Sequence, residues 1–154
     1  MISNDMALNT SALVMLFFLA AWGACFFIFV YKKLGGPKVG RDALLYFNFM
    51  FFKKEMLSNI ALIFLVLGYI SAAFLEYRRE FDDLKLFADL SGGVSFLLFA
   101  VYGKYFFHNY TEYENPFFFV KVFLTRLDLN IGSAFLWLSR ILYLTWLVVF
   151  IIKS

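Results

Sequence analysis

Four apolar stretches, residues 11–31, 57–75, 86–103 and 131–152, alternate with polar connections along 154 residues. A bilayer core of about 30 Å takes about 20 helical residues at about 1.5 Å each, and every stretch meets or approaches that length. Backbone polar groups in lipid must bond within their own segment, so each stretch is predicted to be an α-helix. The period-two alternation of a membrane β-strand is absent. The chain therefore reads as an all-α membrane protein, one polytopic domain with four transmembrane helices.

Shifting the chain by 71 residues superposes several features. Val30-Tyr31-Lys32-Lys33 falls on Val101-Tyr102-Gly103-Lys104, Phe47 on Phe118, and Asn59-Ile60 on Asn130-Ile131. This suggests two similar hairpins, residues 11–75 and 82–146, related as a parallel repeat. Each hairpin is expected to carry a short amphipathic helix on its cytoplasmic side. In the second, Asn115-Pro116 is a helix-start signal, and Lys121, Thr125 and Asp128 recur at helical spacing. In the first, Gly35-Gly36-Pro37 breaks the chain before the apolar run from Leu44 to Phe52. Both are read as helices lying on the inner leaflet.

Composition agrees: 63% of residues are hydrophobic, 23 are Phe, and the mean hydropathy is +0.78. The lone Cys25 has no disulfide or CxxC partner and reads as a small packing residue. No basic residue precedes the first stretch, so it lacks the basic start of a cleaved signal and is expected to be retained.

Charge sets the expected orientation. The first connection holds Lys32, Lys33, Lys38, Arg41, Lys53 and Lys54, and the third holds Lys104, Lys121 and Arg126. Placing both in the cytoplasm leaves only Arg78, Arg79, Lys85 and Lys153 on the far side, as the positive-inside rule asks. Both termini then lie outside, consistent with a bacterial inner membrane. The six basic residues of the first connection are candidates for anionic lipid headgroups, each worth about 1 kcal/mol near the surface. The cluster is short, juxtamembrane and without a binding fold, so nucleic acid is not expected as a partner. The mixed-charge run from Glu76 to Lys85 reads as a solvated external turn.

Two charges remain inside the apolar stretches, Asp89 and Arg140. Ionisable residues in a membrane are costly and point to function. Arg140 lies about 13 Å into the last stretch, whereas Asp89 lies only about 5 Å into the third. A direct pair would need both to shift, so Arg140 is expected either to reach the inner headgroups or to face a counter-charge on a partner subunit. Ala20-xxx-Ala24, Gly68-xxx-Ala72 and Ala88-xxx-Gly92 offer small faces for close helix packing. His108, Glu112 and Glu114 resemble a metal set but read as a solvated loop. No zinc spacing, phosphate loop or nucleophile motif occurs, and no cofactor is expected.

The expected function is a small non-catalytic integral subunit or assembly factor of a larger membrane complex. Arg140, Asp89, Gly68, Ala72, Ala88 and Gly92 would make its helix contacts with other integral subunits. The alternative is a small ion or solute transporter using Asp89 and Arg140. A lipid-modifying enzyme ranks below both.

Overall fold

A computed structural model describes residues 2–37, 40–108, 115–127 and 129–153. Among them every regular element is helical: α1 (Ile2–Lys33), α2 (Asp42–Phe52), α3 (Met56–Glu80), α4 (Asp83–Val101), α5 (Phe118–Thr125) and α6 (Ile131–Lys153). A π-helical turn, Tyr102–Phe106, prolongs α4. Four helices are long and apolar enough to cross a membrane: Ala7–Lys33, Met56–Glu80, Asp83–Phe106 and Ile131–Lys153.

The chain ends each long helix with identifiable chemistry. At the end of α1, Gly35 takes φ 69° and the Gly36 amide donates to the Val30 carbonyl at 3.2 Å. This closure, from residue 36 back to residue 30, is helped by a left-handed residue just past the helix, which glycine supplies without strain. The turn between α3 and α4 is far tighter than a ten-residue external loop. Phe81 alone takes the left-handed conformation, φ 52°, and Asp82 caps α4 by accepting from the Leu84 and Lys85 amides, both at 3.1 Å. The charges from Glu76 to Lys85 thus sit on helix ends: Lys85 bridges Glu76 at 2.5 Å and Glu80 at 3.0 Å.

α1 packs along α3, α4 along α6, and α3 along α4. Arg78 near the end of α3 donates to the Ala7 carbonyl and Ser11 Oγ of α1, and Lys153 of α6 meets Asp82 at 2.5 Å. The start of α1, the α3–α4 turn and the end of α6 therefore share one end of the bundle. α2 and α5 occupy the other.

The densest packing lies around α2. Leu45, Tyr46, Asn48, Phe49, Met50, Phe51 and Phe52 are all buried, against Cys25 and Phe29 of α1 on one side and Phe99, Tyr102, Phe107 and Phe118 on the other. α2 is therefore enclosed by neighbouring helices rather than presenting an open apolar face. From Ala43 to Phe52 the helix has no charged residue, and a helix apolar on all sides belongs in a core. Its one strongly polar group, Asn48, is satisfied by the α5 segment: Nδ2 donates to the Asn115 carbonyl at 2.7 Å, and Oδ1 accepts from the Phe119 amide at 2.9 Å. α5 buries Phe118 and Val122 and leaves Lys121, Leu124 and Thr125 exposed.

Candidate functional site

The stripe of α4 formed by Lys85, Asp89, Gly92, Phe96 and Phe99 recurs every three or four residues, so these side chains share one face. Opposite it run Tyr143, Trp146, Phe150 and Lys153 of α6. Between the two stripes lie two cavities. The first, of about 340 Å³, is lined by Tyr69, Glu76, Lys85, Asp89, Trp146 and Lys153 together with Ala88, Val149 and Phe150. The second, of about 470 Å³, is walled by aromatic rings, including Phe51, Phe96, Phe119 and Tyr143. Trp146 lines both.

Asp89 is half-buried at the charged end, where its Oδ1 accepts from Trp146 Nε1 at 3.1 Å. Gly92 makes this corner possible. A Cβ at Gly92 would lie 2.9 Å from the Tyr69 hydroxyl and 3.2 Å from the Trp146 ring, so any side chain there would drive the two apart. Ala88 is buried on the same helix, Ala72 is half-buried on α3, and a Cβ at Gly68 would meet Leu19 at 3.1 Å. Behind the groove, Ser95 and Ser139 exchange hydrogen bonds: each hydroxyl donates to the other's carbonyl, at 2.7 and 2.8 Å. Both are fully enclosed, which fixes the register of α4 on α6.

Arg140 does not meet Asp89, and it is engaged within the chain. Its Nε donates to the Phe123 carbonyl at 2.5 Å, and its Nη2 to the carbonyls of Arg126 at 2.7 Å and Val122 at 3.4 Å. These carbonyls lie at the end of α5, where its negative dipole end falls; the Val122 carbonyl also accepts from the Arg126 amide at 3.4 Å. The guanidinium also lies 4.8 Å from the centre of the Trp137 ring. Internal counter-charges are scarce along α6, but the carbonyls at the end of α5 serve in their place.

A buried cation escapes any reading of apolar stretches. Lys104 directly follows the third stretch and passes for a loop charge, yet it is 4% exposed. Its Nζ donates to Ser58 Oγ at 2.9 Å and to Asn59 Oδ1 at 2.6 Å. The Ser58 hydroxyl in turn lies within donating distance of the Phe49, Met50 and Lys53 carbonyls, at 2.8, 3.1 and 2.8 Å. Lys104 thus does for α2, through Ser58, what Arg140 does for α5. The close approach requires Gly103, because a Cβ there would stand 2.5 Å from the Phe51 carbonyl oxygen.

The other candidates are dispersed. Lys32, Lys33, Arg41 and Lys54 are exposed at the α2 end of the bundle. Lys33 pairs with Glu55 at 2.6 Å, and Lys54 lies 5.0 Å from the Tyr105 ring centre. Lys53 is half-buried, while Lys38 lies outside the described residues, as do Glu112, Glu114 and Asp128. His108 Nδ1 sits 3.0 Å from the Phe106 carbonyl oxygen, and no metal-ligating cluster occurs among the described residues. Asn130 caps α6, accepting from the Ser133 amide at 2.8 Å.

No protein-family model, no curated protein and no solved structure matches the chain.

Proposed function

We infer that this chain is a non-catalytic integral subunit or assembly factor of a larger membrane complex, held to another integral subunit along the outward face of α1. One observation carries this reading: the distribution of small residues. Gly68 and Gly92 meet neighbours within the chain, and Ala88 is buried. Ala20 and Ala24 are exposed instead, and a Cβ at Gly23 would meet nothing within 4 Å. Leu16 and Phe17 on one side of this shallow and Phe27 and Ile28 on the other are exposed as well. Helix association in lipid draws on close backbone approach, and small residues flanked by large ones permit it. The outward face of α6, with Trp137, Ile141, Leu144 and Val148, has no such shallow.

Purification in a mild detergent tests the reading. The wild type should carry an integral partner at fixed stoichiometry, and Ala20→Leu with Ala24→Leu should release it while leaving the helical signal unchanged. A wild type that runs as a solitary monomer would remove this function.

The transport reading rests on the cavity over Asp89. Against it, Asp89 and Arg140 have separate partners, Trp146 for one and the α5 carbonyls for the other, and Trp146 lies six residues beyond Arg140 on α6. Proteoliposome flux that is unchanged in Asp89→Asn and Arg140→Gln would exclude it.

The proposed setting is a bacterial inner membrane, with α2 and α5 toward the cytoplasm, both termini outside, and anionic headgroups gathered by the exposed lysines of the first connection. The positive-inside count supports this orientation. We also read the chain as a duplicated hairpin with an amphipathic α5. In support, α1–α2–α3 and α4–α5–α6 follow one another in the same order, and Asn48 and Phe119, 71 positions apart, bond to each other.

A further inference from the structure

The two cavities beside α4 and α6 follow the same pair of stripes and meet at Trp146, which lines both, so that together they make a groove with a charged end and an aromatic end. From Lys85 to Phe99 the α4 stripe advances by 14 positions, about 21 Å at helical rise. One leaflet of a bilayer has about 15 Å of hydrocarbon and about 5–7 Å of headgroup. The groove therefore matches one leaflet in length as well as in the order of its chemistry, starting from the bundle end that holds the α3–α4 turn.

The charged end is selective in sign. Lys85 is already held by Glu76 and Glu80, and Lys153 by Asp82. Among the described residues Asp89 forms no salt bridge and accepts a hydrogen bond from the neutral Trp146 N–H, so a cation complements it. The indole of Trp146 and the ring of Tyr69 border the same cavity, and aromatic faces add favourable contact for an ammonium group. Beyond Trp146 the walls become Phe96, Phe99, Phe119, Val120 and Phe123. An acyl chain suits such apolar walls.

We propose that the groove binds one phospholipid from the leaflet on the side of the termini, its headgroup ammonium against Asp89 and one acyl chain along the aromatic walls. The site is distinct from the basic residues of the first connection, which lie at the opposite end of the bundle. It is also independent of any partner on α1.

Native mass spectrometry of the full chain tests this, after release from mixed micelles holding equal amounts of phosphatidylethanolamine and phosphatidylglycerol with identical chains. The wild type should retain phosphatidylethanolamine over phosphatidylglycerol by about tenfold. Asp89→Asn should bring the two to parity. Val120→Trp, which fills the aromatic end, should lower retention of both, with helical signal and elution unchanged. Should Asp89→Asn not fold, the wild-type ratio and the Val120→Trp result decide. Equal retention by the wild type, a preference that survives Asp89→Asn, or full retention in Val120→Trp would overturn the proposal. Free ethanolamine should displace nothing, and displacement by it would reassign the site to a soluble amine.

Discussion

Removing the Ser58 hydroxyl should cost more than removing the charge it holds. Ser58 connects the Lys104 ammonium to the carbonyl end of α2. In Ser58→Ala the cation stays buried, donating to Asn59 Oδ1. A lost hydrogen bond to a charged group costs about 1.5–3 kcal/mol, and a neutral one to a carbonyl about 1 kcal/mol. The expected loss is therefore about 2.5–4 kcal/mol. Lys104→Met deletes the charge but keeps an unbranched apolar stem, and such exchanges of a buried ion are often neutral. Its expected change is within about 1 kcal/mol. With the cation gone, the double variant should lose only the carbonyl bond, about 1 kcal/mol. Reversible unfolding in mixed micelles, followed by helical circular dichroism, would measure all three. The double variant should thus be more stable than Ser58→Ala by about 2 kcal/mol. Simple additivity, or a Lys104→Met loss as large as that of Ser58→Ala, would refute the reasoning.

Three further outcomes follow from the same geometry. Arg140→Met should uncover the α5 carbonyls at a cost of about 2–4 kcal/mol, seen as faster amide exchange from Val122 to Arg126 while the α4 amides stay protected. Gly103→Ala must push the α4 end away from the Phe51 carbonyl and should destabilise by about 1–3 kcal/mol, whereas Gly23→Ala, in open space, should leave the unfolding midpoint unchanged. The bond from Lys153, then those from the Lys85 and Leu84 amides, holds the Asp82 carboxyl below the usual range. A lowered carboxylate pKa contributes stability above the unfolded value, about 3.9, and that contribution is lost as pH falls through the folded value. Melting curves should therefore show an acid-side decline that is shallower in Asp82→Asn.

The spans were legible because lipid allows so few backbone solutions: a run such as Ala61–Leu67 can only be helix there. Caps were legible only in part. Asn130 acts as the start of α6, as its type suggests, but Phe81 carries no sign that it would take a left-handed turn, since that conformation is imposed by the closure of α3 on α4. The burial of α2 is only partly legible: the break at Gly35-Gly36-Pro37 and the lysines at 53 and 54 bound a short apolar segment, but the partners that enclose its uncharged run from Ala43 to Phe52 come from α1, α4 and α5. Lys104 was missed for a related reason. A lysine next to an apolar stretch normally reaches outward, and only the serine one turn into α3, 46 positions earlier, draws it inward. The groove itself belongs to stripes on two helices, and nothing local to either shows that they face each other.

The most direct test of the proposed function is site-specific photocrosslinking in native membranes, with a benzophenone side chain at Phe17 or Phe27 on α1 and at Ile141 on α6. The account predicts one discrete protein adduct from the α1 positions, abolished by Ala20→Leu with Ala24→Leu, and lipid adducts alone from Ile141. Lipid adducts alone from all three positions would contradict it.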